Sequence, residues 1–264
     1  MESLAARITR REEVAPHHIA LELDCPALAH EATPGQFVHV RVSGTDDPLL
    51  RRPISIMLRD NYRGRIEILV RAVGRGTAIL SNLAPGSALD IIGPLGHGFP
   101  VPEEASTVLL VAGGVGVAPL IFLADTLQLA EQQHYVRGLL GAATEDMLVC
   151  WQDFAGRCEA FQAATEDGTA GTRGLVTELV PEQLRRGVDI VYTCGPRPMM
   201  ARVSELCAEQ GVPCWASLEQ FMGCGVGACL GCVIPTRLQP RHRRVCKDGP
   251  VFSASQVAWE ELSE

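Results

Sequence analysis

The sequence predicts three consecutive units: a small antiparallel β-barrel, a doubly wound parallel α/β domain and a short C-terminal domain organised around cysteines. Alternating runs between turn residues predict the first unit, and continuous apolar runs with helix-length spacers predict the second. The third follows from the concentration of Cys and Gly between Gly223 and Cys232. We place the three units at residues 1–102, 103–218 and 219–264, and a length of 264 residues suits two ordinary domains with an appendage.

The first unit is divided by turns such as Pro34-Gly35 and Pro85-Gly86. Between the turns lie runs rich in β-branched residues, for example residues 37–42 and 66–70. Their alternation indicates antiparallel strands with one buried face. Only one short helix is expected here, near residues 78–83, so the region is predicted to be a barrel.

The pattern changes near residue 103. Residues 108–112 form a continuous apolar run that ends in two glycines, and a helix is expected over residues 118–133. Further apolar runs occupy residues 135–140, 158–163, 188–193 and 213–217. Strands that alternate with helices indicate a parallel sheet, whose ligands bind at the carboxyl ends of the strands.

Composition excludes several classes of protein. With 47% apolar and 20% charged residues, the chain can form a core and is not disordered. The net charge of −8 and the lack of a long basic run argue against nucleic-acid binding. No window of 18 apolar residues and no signal-peptide pattern is present, so a cytoplasmic protein with no membrane partner is expected. Ten cysteines in a reducing compartment need an explanation other than disulfides.

Cysteine spacing supplies that explanation. Cys224, Cys229 and Cys232 follow the pattern C-x4-C-x2-C, and Cys246 comes after thirteen further residues. This is the spacing of plant-type [2Fe–2S] ligation. The glycines of the loop let the backbone approach the sulfurs closely and donate N–H groups to them. The alternatives are a four-cysteine zinc site, although such sites usually pair two short-spaced doublets, and unligated thiols.

Two segments of the barrel have features of a flavin site. Arg52 and Ser55 lie on one predicted strand, where an arginine can hold a diphosphate and a serine can bond to a flavin ring. Because they face opposite sides of an ideal strand, this interpretation needs a bend near Pro53. Residues 71–77 place glycines before a helix with Thr77 as its N-cap, which makes a phosphate seat. The alternatives are an edge strand with solvated arginines and an ordinary glycine-rich turn.

Two segments of the α/β domain have features of a nucleotide site. Residues 113–119, Gly-Gly-Val-Gly-Val-Ala-Pro, join a strand to a helix and let a phosphate or a flavin approach the backbone, although they do not match G-x-G-x-x-G. Cys194, Gly195 and Pro196 close the fourth predicted strand at its carboxyl end. Cys194 either faces a nicotinamide there or is an ordinary buried cysteine.

The order of these motifs resembles the ferredoxin-reductase-like flavoproteins. Within them, the chain is most similar to the iron–sulfur electron-transfer subunits of two-subunit, NAD-linked bacterial dihydroorotate dehydrogenases of class 1B. The resemblance covers nearly the whole chain, and residues 92–96, 165–177 and 217–232 carry it most specifically. It implies an antiparallel barrel that binds FAD, a doubly wound sheet that binds NAD(H) and a small C-terminal [2Fe–2S] domain.

The resemblance also implies roles for individual residues. The FAD site would comprise Arg52, Pro53, Ile54, Ser55, Leu69, Val70, Arg71, Gly76 and Thr77. The NAD(H) site would comprise Gly114, Gly116, Asp167, Cys194, Gly195 and Pro196. The cluster ligands would be Cys224, Cys229, Cys232 and Cys246. No catalytic side chain is expected, because the cofactors carry the chemistry.

The function implied by the resemblance is electron transfer in pyrimidine (UMP) biosynthesis. A partner, the FMN-containing catalytic subunit, would oxidise dihydroorotate and pass electrons through the cluster and FAD of this chain to NAD⁺, in a heterotetramer. An exposed apolar face around the cluster is expected to dock that partner. Alternatives are a subunit of a sulfide dehydrogenase or of an NADH-dependent ferredoxin:NADP oxidoreductase, and a non-catalytic scaffold with a zinc knuckle. The preference between NAD and NADP stays open.

Overall fold

The computed structural model describes residues 3–262, and its first part is a closed barrel of six antiparallel strands in the order β1-β2-β5-β4-β3-β6. The strands are β1 (Leu4–Ala15), β2 (His18–Asp24), β3 (Phe37–Arg41), β4 (Arg52–Asp60), β5 (Arg65–Arg71) and β6 (Ala88–Leu95). Buried branched side chains such as Val38, Val40 and Ile68 fill the interior. The predicted barrel is confirmed.

Two short helices, rather than the one predicted, accompany the barrel: α1 (Pro26–Glu31) and α2 (Arg75–Ser81). The prediction missed α1 because six residues are too few to show a helical period. Proline at its start and the buried side chains of Leu28 and Ala29 explain why this segment is helical against the barrel. Helix α2 begins three residues before the predicted position, since its glycines belong to its first turn.

The second part is a parallel sheet, as predicted. Its strands are β7 (Thr107–Gly113), β8 (Tyr135–Ala142), β9 (Ala160–Thr165), β10 (Thr172–Arg173), β11 (Ile190–Cys194) and β12 (Cys214–Ser217). Its helices are α3 (Val117–Gln128), α4 (Trp151–Ala155), α5 (Val180–Arg185) and α6 (Arg197–Glu209). The spatial order β10-β9-β8-β7-β11-β12 places the reversal of strand order between β7 and β11. Ligands of such sheets bind at that position.

Helix α3 packs the sheet against the barrel. Phe122 of α3 is buried with the barrel core, and the Arg59 guanidinium of β4 lies 5.7 Å from the centre of its ring. The helix ends at Gln128, five residues before the predicted end, because the apolar face stops there and Leu129 is exposed. Within residues 3–262, no helix is long and apolar enough to cross a membrane.

The third part is small and packs against the sheet. It contains β13 (Val233–Pro235), β14 (His242–Arg244), α7 (Val245–Asp248) and β15 (Val251–Ser253). Strand β15 pairs antiparallel with β12 and becomes the seventh strand of the sheet. Ile234 and Val245 pack in one core with Leu109 of β7. The apolar side chains of this segment therefore pack in the same core as those of the sheet. The domain boundaries predicted at residues 102/103 and 218/219 stay predictions.

Candidate functional site

A hairpin brings two of the four predicted ligands together. Strands β13 and β14 pair with Val233 opposite Arg244, so Cys232 and Cys246 leave the same end of the hairpin. The Val245 amide donates to the carbonyl of Cys232 at 3.0 Å, and this contact keeps the ends close. The two buried sulfurs are 3.2 Å apart. Cys232 and Cys246 are thus held as one pair.

The loop before the hairpin surrounds the other two cysteines with amides. The N–H groups of Val226, Ala228 and Cys229 point at the sulfur of Cys224 from 3.5, 3.3 and 3.4 Å. The Gly231 amide points at the sulfur of Cys229 from 3.4 Å. Amide donors of this kind stabilise thiolates and tune iron–sulfur clusters.

The surroundings of Cys224 and Cys246 shift the pKa values of their thiols in opposite directions. Burial opposes ionisation of Cys224, but the amides of its loop outweigh that effect and lower its pKa to about 6. Burial and the neighbouring Cys232 raise the pKa of Cys246 to about 12. The nearby Arg244 guanidinium is engaged by both carboxylate oxygens of Asp248 at 3.0 and 2.9 Å. Two adjacent buried thiols can both ionise only beside a further cation, and bound iron would supply that charge.

The four cysteines come from two segments. Cys232 and Cys246 are paired at the end of the hairpin, with their sulfurs 3.2 Å apart, and Cys224 and Cys229 share the preceding loop, where the Cys229 side chain helps to lower the pKa of Cys224. Among residues 3–262, no three His, Cys, Asp or Glu side chains converge where one metal ion could be held. A zinc site needs four ligands around one ion, whereas a binuclear cluster accepts two pairs. The residues therefore fit an iron–sulfur cluster better than zinc.

The two predicted flavin segments meet at one place on the barrel. A Cβ atom at position 76 would lie 2.5 Å from Cζ of Arg52, so the guanidinium rests directly on Gly76 in the first turn of α2. Arg52 also donates to the carbonyl of Leu50. The strand and the glycine-rich turn thus present one cation and free backbone to the same volume, which suits a diphosphate.

The structure has no bend near Pro53, although the interpretation of Arg52 and Ser55 as one flavin site required it. Pairing between β3 and β4 is unbroken across Arg52, Pro53 and Ser55, so Arg52 and Ser55 do face opposite sides of β4. The irregularity lies further along, between Ile56 and Leu58 on the β5 side. Proline interrupts no ladder here because a strand needs only some of its N–H groups for pairing.

The N-cap predicted at Thr77 is also wrong. Gly74 is the N-cap of α2, and Thr77 is its third residue. The hydroxyl of Thr77 accepts the amides of Val73 and Gly74 at 3.1 and 3.2 Å. The sequence pattern misplaced the cap because glycine can occupy that position without a side-chain oxygen.

Three further predicted flavin residues lie on β5, next to β4. Leu69 and Val70 are buried, and Arg71 is exposed at the end of the strand. Ile54 of β4 is buried with the barrel core. Val70 packs in the barrel core with Ile54, whereas Leu69 packs with residues of the sheet, so neighbouring residues of β5 face opposite sides.

The glycines of the predicted nucleotide site surround the carboxyl ends of β7 and β11. Gly114 has a φ of +51°, a left-handed conformation that glycine adopts without strain. A Cβ at Gly116 would lie 2.5 Å from the carbonyl carbon of Cys194, and one at Gly195 would lie 2.9 Å from the amide nitrogen of Gly113. The close approach of the chain segments that follow β7 and β11 therefore requires glycine at positions 116 and 195.

The other predicted nucleotide residues occupy different surroundings. Pro196 is exposed at the start of α6, whereas Cys194 is 3% exposed and burial raises the pKa of its thiol. Asp167 follows β9, two strands from β7, so the structure does not bring it to the glycines. Its carboxylate accepts the Thr169 hydroxyl and amide at 2.7 and 3.0 Å, and these bonds lower its pKa.

Glu219 lies beside the predicted nucleotide residues, although no motif in the sequence marks it. Its side chain is exposed, and the protein packed around it raises the pKa of its carboxyl against the opposing charges of Arg197 and Arg71. Its charge also acts on Cys194. The position was readable, since Glu219 follows β12 at the same carboxyl edge as Cys194. Glu219 therefore lies where the barrel, the sheet and the cluster segment meet.

Three family models match consecutive parts of the chain. Residues 5–99 match an oxidoreductase FAD-binding domain, and residues 110–205 match an oxidoreductase NAD-binding domain. Residues 219–258 match the iron–sulfur cluster binding domain of dihydroorotate dehydrogenase B. The three cofactors predicted from the sequence are confirmed at this level.

Relatives match over almost their full length. The electron transfer subunit of dihydroorotate dehydrogenase B (NAD(+)) from Desulforamulus reducens is 44% identical over 94% of this chain and 95% of its own. That from Geobacillus thermodenitrificans is 41% identical over 95% and 96%. The solved NADH-dependent reduced ferredoxin-NADP oxidoreductase is 32% identical, with a TM-score of 0.86 over 97% of this chain and 90% of that one. Ferredoxin reductase in carbazole 1,9a-dioxygenase, 22% identical with a TM-score of 0.68 over 80% and 67%, shares the fold.

Proposed function

The chain belongs to the family of electron transfer subunits of dihydroorotate dehydrogenase B, and from this membership we propose that it carries electrons from dihydroorotate oxidation to NAD⁺ in pyrimidine (UMP) biosynthesis. It is an oxidoreductase subunit with FAD-binding, NAD-binding and iron–sulfur domains. The observation that carries the proposal is the group of four cysteines in a segment that packs against a barrel and a sheet. The barrel matches an FAD-binding domain and the sheet an NAD-binding domain.

The proposed sites follow the geometry described above. Arg52, with Gly76 against its guanidinium, would hold the FAD diphosphate, and we propose that the rest of the FAD site comprises Pro53, Ile54, Ser55, Leu69, Val70, Arg71 and Thr77. The nicotinamide nucleotide would lie over Gly114, Gly116, Cys194, Gly195 and Pro196, with Asp167 at the far end. A [2Fe–2S] cluster would be held by Cys224, Cys229, Cys232 and Cys246. When bound, these groups supply one-electron transfer and hydride transfer.

The name of the family, electron transfer subunit of dihydroorotate dehydrogenase B, implies a catalytic subunit as the partner. We propose that this subunit contains FMN and that two copies of each chain form a heterotetramer. All ten cysteines are free of disulfides, which fits a cytoplasmic location.

Exposed apolar side chains surround the cluster segment. We call Phe221, Val226 and Leu230 the cluster patch, and they are 90%, 39% and 59% exposed. Cys229 is exposed in the same loop, so the ligand nearest to solvent stands among them. Large exposed apolar groups mark interaction sites, and a one-electron donor must come close to the cluster. We assign the catalytic partner to this patch.

The double variant Phe221→Ser/Leu230→Ser is expected to weaken the complex with the catalytic subunit. Loss of two exposed anchors that become buried on assembly should cost about 2 kcal/mol or more, which raises Kd about 30-fold. Titration of the holoprotein with the purified catalytic subunit would measure it. Tyr62→Ser is the control, since Tyr62 is 98% exposed in the turn between β4 and β5. Equal affinity of both variants would contradict the assignment.

The first test of the proposed function is the visible spectrum of protein purified without oxygen, with iron and sulfide assayed on the same sample. We expect flavin bands with two irons and two sulfides per chain. The isolated chain should oxidise NADH with artificial acceptors and leave dihydroorotate untouched. Zinc without flavin, or dihydroorotate oxidation by the chain alone, would overturn the proposal.

A second candidate function is supported by the likeness to the NADH-dependent reduced ferredoxin-NADP oxidoreductase. That candidate shares the architecture and differs in its partner. Addition of the catalytic dihydroorotate dehydrogenase subunit separates the two. Under our proposal, dihydroorotate then reduces the flavin of this chain, and under the second candidate it does not.

A further inference from the structure

His39 is a buried polar side chain between the barrel and the cluster segment. Side chains of a strand alternate between two faces, and Val38 and Val40 of β3 point into the barrel. Phe37 and His39 therefore point outward. Phe37 packs in the core that contains Cys232, so this outer face of β3 is the surface on which the cluster segment rests.

The imidazole of His39 contacts the backbone of the cluster loop. A Cβ atom at Gly225 would lie 2.5 Å from Nδ1 and 3.0 Å from Cε1 of His39. Gly225 also has a φ of +69°, a left-handed conformation. Glycine suits this position for two reasons, because it adopts that conformation without strain and because it has no side chain to collide with His39. The ring thus occupies the space beneath the residue that follows Cys224.

The ring is unusual because its two nitrogens lack hydrogen-bond partners while its exposure is 0%. Buried polar groups are normally paired, and an unpaired one calls for a functional explanation. Burial lowers the pKa of His39, and in either protonation state an imidazole carries at least one N–H. The main chains of Arg51 and Cys224 lie near the ring. One side chain therefore faces the start of the flavin strand and the first cluster ligand.

We propose that His39 is a positioning residue, which holds the first turn of the cluster loop against the flavin strand β4 and supplies a polar N–H beside the cluster. Its partner in the β3–β4 ladder is Pro53, directly next to Arg52, so a shift of the ring changes the placement of Cys224 relative to the flavin segment. Hydrogen-bond donors and burial around the ligands set the potential of an iron–sulfur cluster. This inference rests on the proposed function.

Two variants of His39 separate polarity from packing. His39→Leu keeps an apolar volume but has no donor, whereas His39→Asn places an amide nitrogen as many bonds from Cα as Nδ1. In holoprotein with full iron and flavin, we expect His39→Leu to change the one-electron equilibrium between flavin and cluster about tenfold, which is 59 mV. His39→Asn should stay within threefold of the parent. A redox titration followed by the electron paramagnetic resonance of the reduced cluster measures both.

The contact with Gly225 gives an independent test. Gly225→Ala is expected to reduce the iron content of purified protein several-fold, and Gly227→Ala to reduce it less. Gly227 also has a positive φ, +84°, but its Cβ would meet the flexible side chain of Lys247 at 2.8 Å. When His39 is also replaced by alanine, Gly225→Ala should reduce the iron content no more than Gly227→Ala does.

The outcomes distinguish this inference from the proposed function. If the parent protein contains no iron, sulfide or flavin, the proposed function fails. If the cofactors are present, an unchanged potential in His39→Leu overturns the positioning role alone. Equal effects of the two glycine variants in both backgrounds overturn it as well.

Discussion

Cys229→Ser is expected to remove the iron–sulfur cluster while FAD stays bound and the fold stays intact. Cys229 is exposed in its loop, so its replacement disturbs no packing. A serine hydroxyl does not supply the thiolate that a cluster iron requires, and the remaining sulfurs leave one iron with a single protein ligand. Electron transfer from the catalytic partner to NAD⁺ should then fall below detection. Iron and sulfide assays with the flavin spectrum would show the separation of the two cofactors.

Cys158→Ser is the matched control for this experiment. Cys158 is a free, partly exposed cysteine beside Gly138 of the sheet, outside the cluster segment. Its replacement should leave iron, flavin and electron transfer at the parent level. Full iron content in Cys229→Ser would refute the ligand assignment. Loss of flavin together with iron would show that the barrel and the cluster segment are one folding unit.

Arg52→Gln is expected to weaken FAD binding by about 10- to 100-fold. A charged hydrogen bond to the diphosphate contributes about 1.5–3 kcal/mol, and each 1.4 kcal/mol is a tenfold change in Kd. The guanidinium of Arg52 rests directly on Gly76, in the turn that would receive the diphosphate. Reconstitution of apoprotein with FAD, followed by flavin fluorescence, gives the Kd.

Arg63→Gln controls for the loss of a positive charge. Arg63 lies in the turn after β4, exposed and 3.8 Å from Asp60. Its replacement should leave the Kd for FAD within twofold. If Arg52→Gln binds FAD as tightly as Arg63→Gln does, the diphosphate is held elsewhere and the flavin assignment on β4 is wrong.

The fold was readable from sequence where the periodicity extended over enough residues. The barrel runs alternate, the sheet runs are continuous, and both were recovered. Helix α1 was missed because its six residues make fewer than two turns, which is too short for a helical repeat to be recognised. The end of α3 was misjudged since only the tertiary contacts of Phe122 and its neighbours show where the buried face stops.

The site was readable to the extent that its chemistry lies in local spacing. The cysteine pattern named four candidate ligands within 23 positions, and the structure brings two of them, Cys232 and Cys246, to one end of a hairpin. His39 could not be found in this way. Within an alternating strand it looks like a solvent-facing residue, and only the packing of a segment almost 190 positions later buries it. For Glu219 the sequence shows its place after β12, but the charges around it, Arg71 and Arg197, come from distant parts of the chain and appear only in the structure.

The seventh strand of the sheet has a consequence for biosynthesis. Strand β12 pairs with β11 on one side, and its other edge is covered only by β15, which the ribosome makes after the whole cluster segment. Until then the nascent sheet has an open edge, a template for pairing with other chains. Strand β15 begins five residues after Cys246, the last proposed cluster ligand, so closure of the cluster segment around iron would bring it to that edge. Iron-starved cells should therefore accumulate aggregates of the newly made chain before they lose any of its finished copies.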